Sequence, residues 1–232
     1  MQLANIPLEM DTIWSSLTED ADLPLWVVDG SGKVEYASRA AVQELTDGNR
    51  IVGRSLGDLL PAAMAQERLL LIARVAATGR PLMMIEMLRG RWSRTVMRRL
   101  AGPPVIRVLI TSRMGWNAGD TPRPDELERY EVVVPKMHDL GQFNGLSPRE
   151  FEVLALIGEG LSTNKIAHRL GRTAKTVEWH RSALGKKLNV VSKIELAKLA
   201  NRAGLRSATA ANCTSPGDLA WRLVESKSRR LA

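Results

Sequence analysis

Four short helical patterns, each opened by a hydroxyl residue, fill the stretch from Leu146 to Leu205. Helices this short, joined by turns this tight, bury their apolar stripes only by packing on one another, so the stretch predicts a compact all-α unit. Ser147-Pro148-Arg149-Glu150 opens the first pattern. Serine caps, proline fits the first turn, and Glu150 completes a capping box. Val153, Leu154, Ile157 and Leu161 give the buried stripe, and Gly158 and Gly160 end it. Ser162 caps a second helix that turns Ile166, Ala167 and Leu170 inward. The interval Gly171-Arg172-Thr173 is short enough for a tight helix–turn–helix. Thr173 caps a third helix running to about Leu188. Ser192 caps a fourth, with Glu195 as its box partner and Gly204 at its end.

The third helix separates into two faces at about 100° per residue. Val177, His180, Leu184 and Leu188 share the core side, which reads His180 as a hydrogen-bonded core residue. The opposite face carries Lys175, Trp179, Ser182 and Lys186, with Glu178 at its edge. A basic, hydrogen-bonding helix face behind a tight turn suits the DNA major groove, which admits one α-helix. Lysine reaches phosphates or guanine, glutamate accepts from cytosine N4, and a large apolar ring meets a thymine methyl. On that reading, Glu178→Ala relaxes preference at one base position by about 1–3 kcal/mol.

Charge placement points the same way. The chain has 232 residues and a net charge of +8. Residues 140–206 hold 12 basic and 5 acidic side chains, whereas residues 1–139 hold 17 and 18. A basic segment beside a neutral one implies a polyanion that meets the C-terminal part only.

These C-terminal residues strongly resemble the LuxR-type helix–turn–helix family of bacterial transcription regulators. The matching elements are Leu146-Ser147-Pro148-Arg149-Glu150, Glu152-Val153-Leu154, Gly160-x-Ser162, Ile166-Ala167-x-x-Leu170, Thr176-Val177-Glu178-x-His180-Arg181, Lys187-Leu188, Glu195-Leu196 and Gly204-Leu205. The resemblance implies that the second helix abuts the DNA backbone, the third reads the groove and the fourth dimerises. It makes Thr163, Asn164 and Lys165 phosphate-side candidates. Lys175, Thr176, Glu178, Trp179, Arg181, Ser182 and Lys186 become groove-side candidates, with Thr173 at the helix start. Many members carry lysine where Glu178 stands and a small residue where Trp179 stands, so the operator sequence does not transfer.

The N-terminal half reads differently. Residues 1–22 suggest a leader helix with Ile13, Trp14 and Leu17 as a weak stripe. Leu25–Val28, the turn Asp29-Gly30-Ser31-Gly32 and Val34-Glu35-Tyr36 form a β-hairpin pattern. Ser38 caps a short helix to Leu45, and Ala62–Thr78 is a helix stopping at Gly79. Three strand patterns follow: Pro81–Leu88, Trp92–Leu100 and Val105–Ser112. Their order predicts an antiparallel sheet with its helices on one side. The hairpin, the segment Ile51–Pro61 and the closing strands resemble a PAS domain, a sensing and dimerisation module. His138, His168, His180 and Cys213 all lie outside that span, so no histidine ligand for haem and no flavin-reactive thiol is available within it, and no cofactor is expected. Met83, Met84, Met87 and Met97 read as core, or as the wall of a small-molecule pocket. Arg94, Arg98 and Arg99 read as an outer sheet face.

The fold class is therefore α+β: a PAS-like antiparallel sheet with short helices, then a four-helix LuxR-type domain. The boundaries read as a leader over 1–22, the sensor over 23–114, a linker over 115–141, the DNA-binding domain over 142–206 and a tail over 207–232. In the linker, Tyr130–Val134 is a short β-run and His138-Asp139 a surface turn. The expected protein is a cytoplasmic, non-enzymatic, homodimeric regulator of transcription that meets double-stranded DNA and no membrane. A small-molecule signal or RNA polymerase is a further expected partner. A sigma-like polymerase-binding factor and a signalling adaptor are the alternatives.

Overall fold

The computed structural model describes residues 14–16, 18, 22–46, 48–100, 105–115, 122 and 124–205. Most of the expected leader helix, the tail and Cys213 lie outside the described residues. The chain divides into two compact units, residues 1–83 with 95–113 and residues 84–94 with 114–232. Six strands hydrogen-bond in the order β2-β1-β5-β4-β3-β6, namely β1 Leu25–Asp29, β2 Val34–Ala37, β3 Leu82–Leu88, β4 Arg91–Leu100, β5 Arg107–Met114 and β6 Glu131–Val133.

In the first unit, β1 pairs antiparallel with β2 and with β5, so Trp26 faces Ala37 on one side and Ile110 on the other. The turn between β1 and β2 is closed by Asp29, whose Oδ1 accepts from the backbone N–H of Ser31 at 2.9 Å and of Lys33 at 3.0 Å. This is the local reason that aspartate opens the hairpin turn. Ser38 Oγ accepts from the Ala41 N–H at 3.2 Å and so caps helix α1, Arg39–Thr46. Two further helices follow: α2, Leu56–Leu59, and α3, Ala62–Thr78, which buries Met64, Leu71, Ile72, Val75 and Ala76 and ends at a left-handed Gly79. The four methionines Met83, Met84, Met87 and Met97 are all buried.

The second unit contains a junction that the sequence pattern does not announce. The Gly, Pro, Asp and Asn content of residues 115–127 suits a flexible loop, but Pro124–Arg129 forms helix α4, with acidic residues in its first turn and Arg129 in its last, as the helix dipole favours. From α4, Glu126 pairs with Arg94. His138 is not on a surface turn. Its Nδ1 accepts from the Met87 backbone N–H at 3.1 Å, and its ring meets Trp92 edge-on at 6.1 Å. Asp139 completes the pairing: its N–H donates to Met87 O and its carbonyl accepts from the Gly90 N–H, both at 2.9 Å. A single 3-10 turn, Gly141–Phe143, then brings the chain to the helices.

Those helices are α5, Pro148–Gly158; α6, Thr163–Arg169; α7, Ala174–Leu188; and α8, Lys193–Ala203. Their start signals act as read: Ser147, Ser162, Thr173 and Ser192 each accept a hydrogen bond from the third residue of the helix they open. Phe143, Phe151, Leu154, Ile166, Val177, Leu184 and Leu196 form one buried cluster. Burial of each such side chain contributes about 1.5–3 kcal/mol. Where α5 meets α8, a Cβ on Gly158 would lie 2.7 Å from the Ala200 Cβ, so only glycine allows the helices this close.

Candidate nucleic-acid interface

Helix α7 presents two unlike faces. Val177, Leu184 and Leu188 are buried. His180 lies half-buried beside them, but its Nδ1 is buried with no hydrogen-bond partner among the described residues, so it packs without the bond expected of it. Burial and the neighbouring Arg149 charge lower its pKa, and Glu150 opposes them. On the far face, Lys175, Trp179, Ser182 and Lys186 are all exposed, and Trp179 retains 67% of its accessible surface. The ring of Trp179 meets only His180 among the described rings, at 5.0 Å.

The other candidates divide by what holds them. Asn164 and Lys165 are exposed on the first turn of α6. Thr173 caps α7 and is bonded to Thr176 through both the backbone N–H at 3.2 Å and the hydroxyl at 2.9 Å. Thr163, Glu178 and Arg181 are joined: the Thr163 hydroxyl donates to Glu178 Oε1 at 2.7 Å, and Arg181 Nη2 meets Glu178 Oε2 at 2.7 Å. The expected phosphate-side and groove-side residues thus include one linked set and several free cations.

The acidic residues explain the electrostatics. Residues 140–206 contain five of them, and each has an internal role. Glu150 completes the α5 cap and binds Lys187 at 2.7 Å. Burial disfavours its charge, but the bonds from Lys187 and Ser147 outweigh this and leave the carboxyl below its ordinary value. Glu152 pairs with Arg149, Glu159 with Arg169, and Glu178 with Arg181. Glu195 accepts from the N–H groups of Val191 and Ser192. Among the described residues, Lys165, Lys175 and Lys186 have no acidic partner. An unneutralised basic face is what a polyanion meets.

A feature missed in the sequence lies beside this face. A cleft of about 450 Å³ opens between α7 and the start of α8, with Arg181, Ser182 and Lys186 on one wall and Lys193 on the other. Lys193 Nζ donates to the Leu161 carbonyl at 2.8 Å. Asn189, left-handed at the end of α7, turns the chain here. Asparagine just past the last apolar residue of a helix was the available signal. Among the described residues, no group of three or more His, Cys, Asp or Glu could hold a metal ion.

Comparison with known proteins finds family matches in both parts of the chain. Residues 144–200 match the family of bacterial regulatory proteins, luxR family, and residues 18–113 match the PAS fold. The uncharacterized response regulatory protein YgeK of Escherichia coli is 48% identical over 62 residues, 27% of this chain and 42% of that one. The oxygen regulatory protein NreC of Staphylococcus carnosus is 45% identical over 58 residues, 25% of this chain and 27% of that one. The chain therefore spans less than half the length of these relatives. Among solved structures, a Vibrio cholera VqmA–ligand–DNA complex aligns with a TM-score of 0.44 at 22% identity, covering 86% of this chain and 90% of that one. No helix among the described residues is long and apolar enough to cross a membrane. The chain joins a PAS fold to a helix–turn–helix domain of the bacterial LuxR family.

Proposed function

We propose that this chain is a DNA-binding regulator of transcription, in which α7 reads the major groove and the PAS fold receives the controlling signal. The observation that carries this reading is the exposed row Lys175, Trp179, Ser182 and Lys186 opposite the buried Val177, Leu184 and Leu188. Lys175, Thr176, Trp179, Arg181, Ser182 and Lys186 face the groove and its edges, with Thr173 at the helix start. Asn164 and Lys165 lie against the backbone. The protein works as a homodimer in the cytoplasm, with no catalytic step, and each copy takes one half-site, about 34 Å from the next. A small molecule met by the PAS fold changes the geometry of the pair. Its domains run over 23–114 and 142–206, joined by 115–141.

The test is binding of the full chain to random-sequence duplex DNA over a range of salt, followed by selection of the preferred site. Lys175→Ala and Lys186→Ala each weaken binding and reduce the slope of log affinity against log salt by about 1 if the lysine meets a phosphate. An unchanged slope in both variants sinks the assignment of this face.

A further inference from the structure

Glu178 holds a position that looks wrong for a DNA-reading helix, because a carboxylate faces a polyanion at a cost. Both of its oxygens are engaged. Oε1 accepts from the Thr163 hydroxyl on α6, and Oε2 accepts from the Arg181 guanidinium one turn further along α7, each at 2.7 Å. Each oxygen already accepts a charge-assisted bond, so a cytosine amine would have to share the carboxylate with both partners. The bonds also fix what the partners offer. Thr163 donates its only hydroxyl proton inward, so that group has none to give to a phosphate. Arg181 uses one corner of its guanidinium and keeps its other N–H groups. Its side chain is 40% exposed and lines the cleft shared with Ser182, Lys186 and Lys193.

We propose that Glu178 is a positioning residue: its carboxylate bridges Thr163 of α6 and Arg181 of α7, and so aims the Arg181 guanidinium at DNA instead of reading a base itself. This inference rests on the DNA-reading function proposed above. The bridge has two consequences. It neutralises the one acidic group on the flank of the reading helix, so that the local field stays positive. It also ties the side-chain geometry of α7 to that of α6, the two elements of the helix–turn–helix. An arginine held on one side by a carboxylate loses little rotamer freedom on binding, and its planar fork is suited to a phosphate or a guanine edge.

The experiment is a double-mutant cycle on the full chain, with affinity, salt slope and base preference measured on a duplex selected with the wild type. Glu178→Ala lowers affinity about two- to five-fold, the range that an exposed ion pair supports. It does so without relaxing one base position alone. In the Arg181→Ala background the same substitution lowers affinity no further, because nothing remains to be aimed. Glu178→Gln, whose amide oxygen can still accept from Arg181 while its NH2 donates to the Thr163 hydroxyl, recovers part of the loss. Thermal unfolding of every variant separates misfolding from misaiming, since loosening of the domain would lower affinity in the Arg181→Ala background too. Additive losses for Glu178→Ala and Arg181→Ala, or relaxed preference at one base that persists without Arg181, overturn the inference and leave the wider function standing. A wild-type chain that binds no duplex overturns both.

Discussion

The linker junction and the outer face of α7 belong to the same compact unit but hold their polar groups in opposite ways. At the junction, backbone groups of Met87 and Gly90 bond to His138 and Asp139, and the chain passes so close that a Cβ on Gly141 would lie 2.7–2.9 Å from backbone atoms of Arg89 and Gly90. On α7, Lys175 and Lys186 point outward with no acidic partner among the described residues. One region holds a chain path, and the other leaves its cations open to solvent, as the proposed contact with DNA requires. Substitutions should therefore separate cleanly. At the junction they change stability and spare the intrinsic affinity for DNA, and on α7 the reverse holds.

The largest effect expected is at Gly141. Its φ of +50° favours glycine, and the added methyl has only backbone to push against. Gly141→Ala should cost about 2–4 kcal/mol from backbone strain and overpacking together. Chemical denaturation of the full chain measures it. A loss below about 1 kcal/mol, within the range of ordinary point substitutions, would mean that the junction yields, and the contrast with α7 would weaken.

Acid sharpens the comparison, because the core side of the helices holds two groups whose pKa the fold depresses, His180 and Glu150. The His180 imidazole is depressed from 6.5, through burial and Arg149. The Glu150 carboxyl is depressed from 4.5, where the bonds from Lys187 and Ser147 outweigh burial. In both cases the unfolded chain takes up the proton first. Each group therefore contributes stability that is complete above its unfolded value and is lost as pH falls through the folded one. Stability should decline in two windows, one opening near 6.5 for His180 and one near 4.5 for Glu150. His180→Gln removes the first window, and Glu150→Gln narrows the second without abolishing it, because Glu195, Asp29 and Asp58 are depressed as well, as read from denaturation midpoints against pH. Two variants that keep the wild-type profile would show that neither group is linked to folding.

How far the sequence could be read follows from where the signals are local. Capping is local: a serine or threonine suffices, reinforced at Ser147 and Ser192 by a glutamate three residues later, so the starts of α5 to α8 were legible residue by residue. So were the strands flanking the Asp29 turn, whose side chain bonds its own neighbours. The junction was not legible, because His138 finds its partner 51 residues away at Met87, and no periodicity connects them. Helix α4 was hidden by the Pro and Asp residues that usually mark a loop but here occupy its first turn. At the candidate interface, helical spacing placed Lys175 and Lys186 on the outer face. It could not show that Thr163, Glu178 and Arg181 join across two helices, since side-chain reach is not a property of spacing.

The smallest effect on stability is expected at Trp179, and it is the most direct probe of the outer face. The side chain is 67% exposed and touches only the His180 ring among the described rings, so its removal takes little from the core. Trp179→Ala should leave unfolding free energy within about 0.5 kcal/mol of the wild type. If the indole meets a thymine methyl or the sugar edge, the same change weakens duplex binding by about 1 kcal/mol, the low end for a base contact. Stability and affinity measured on one preparation decide the matter. A drop in stability above about 1 kcal/mol with affinity unchanged would make Trp179 a packing residue and move the reading face toward Lys175 and Lys186 alone. Lost affinity at constant stability would place an aromatic anchor at the centre of the basic row, where it also limits which base can sit beneath it.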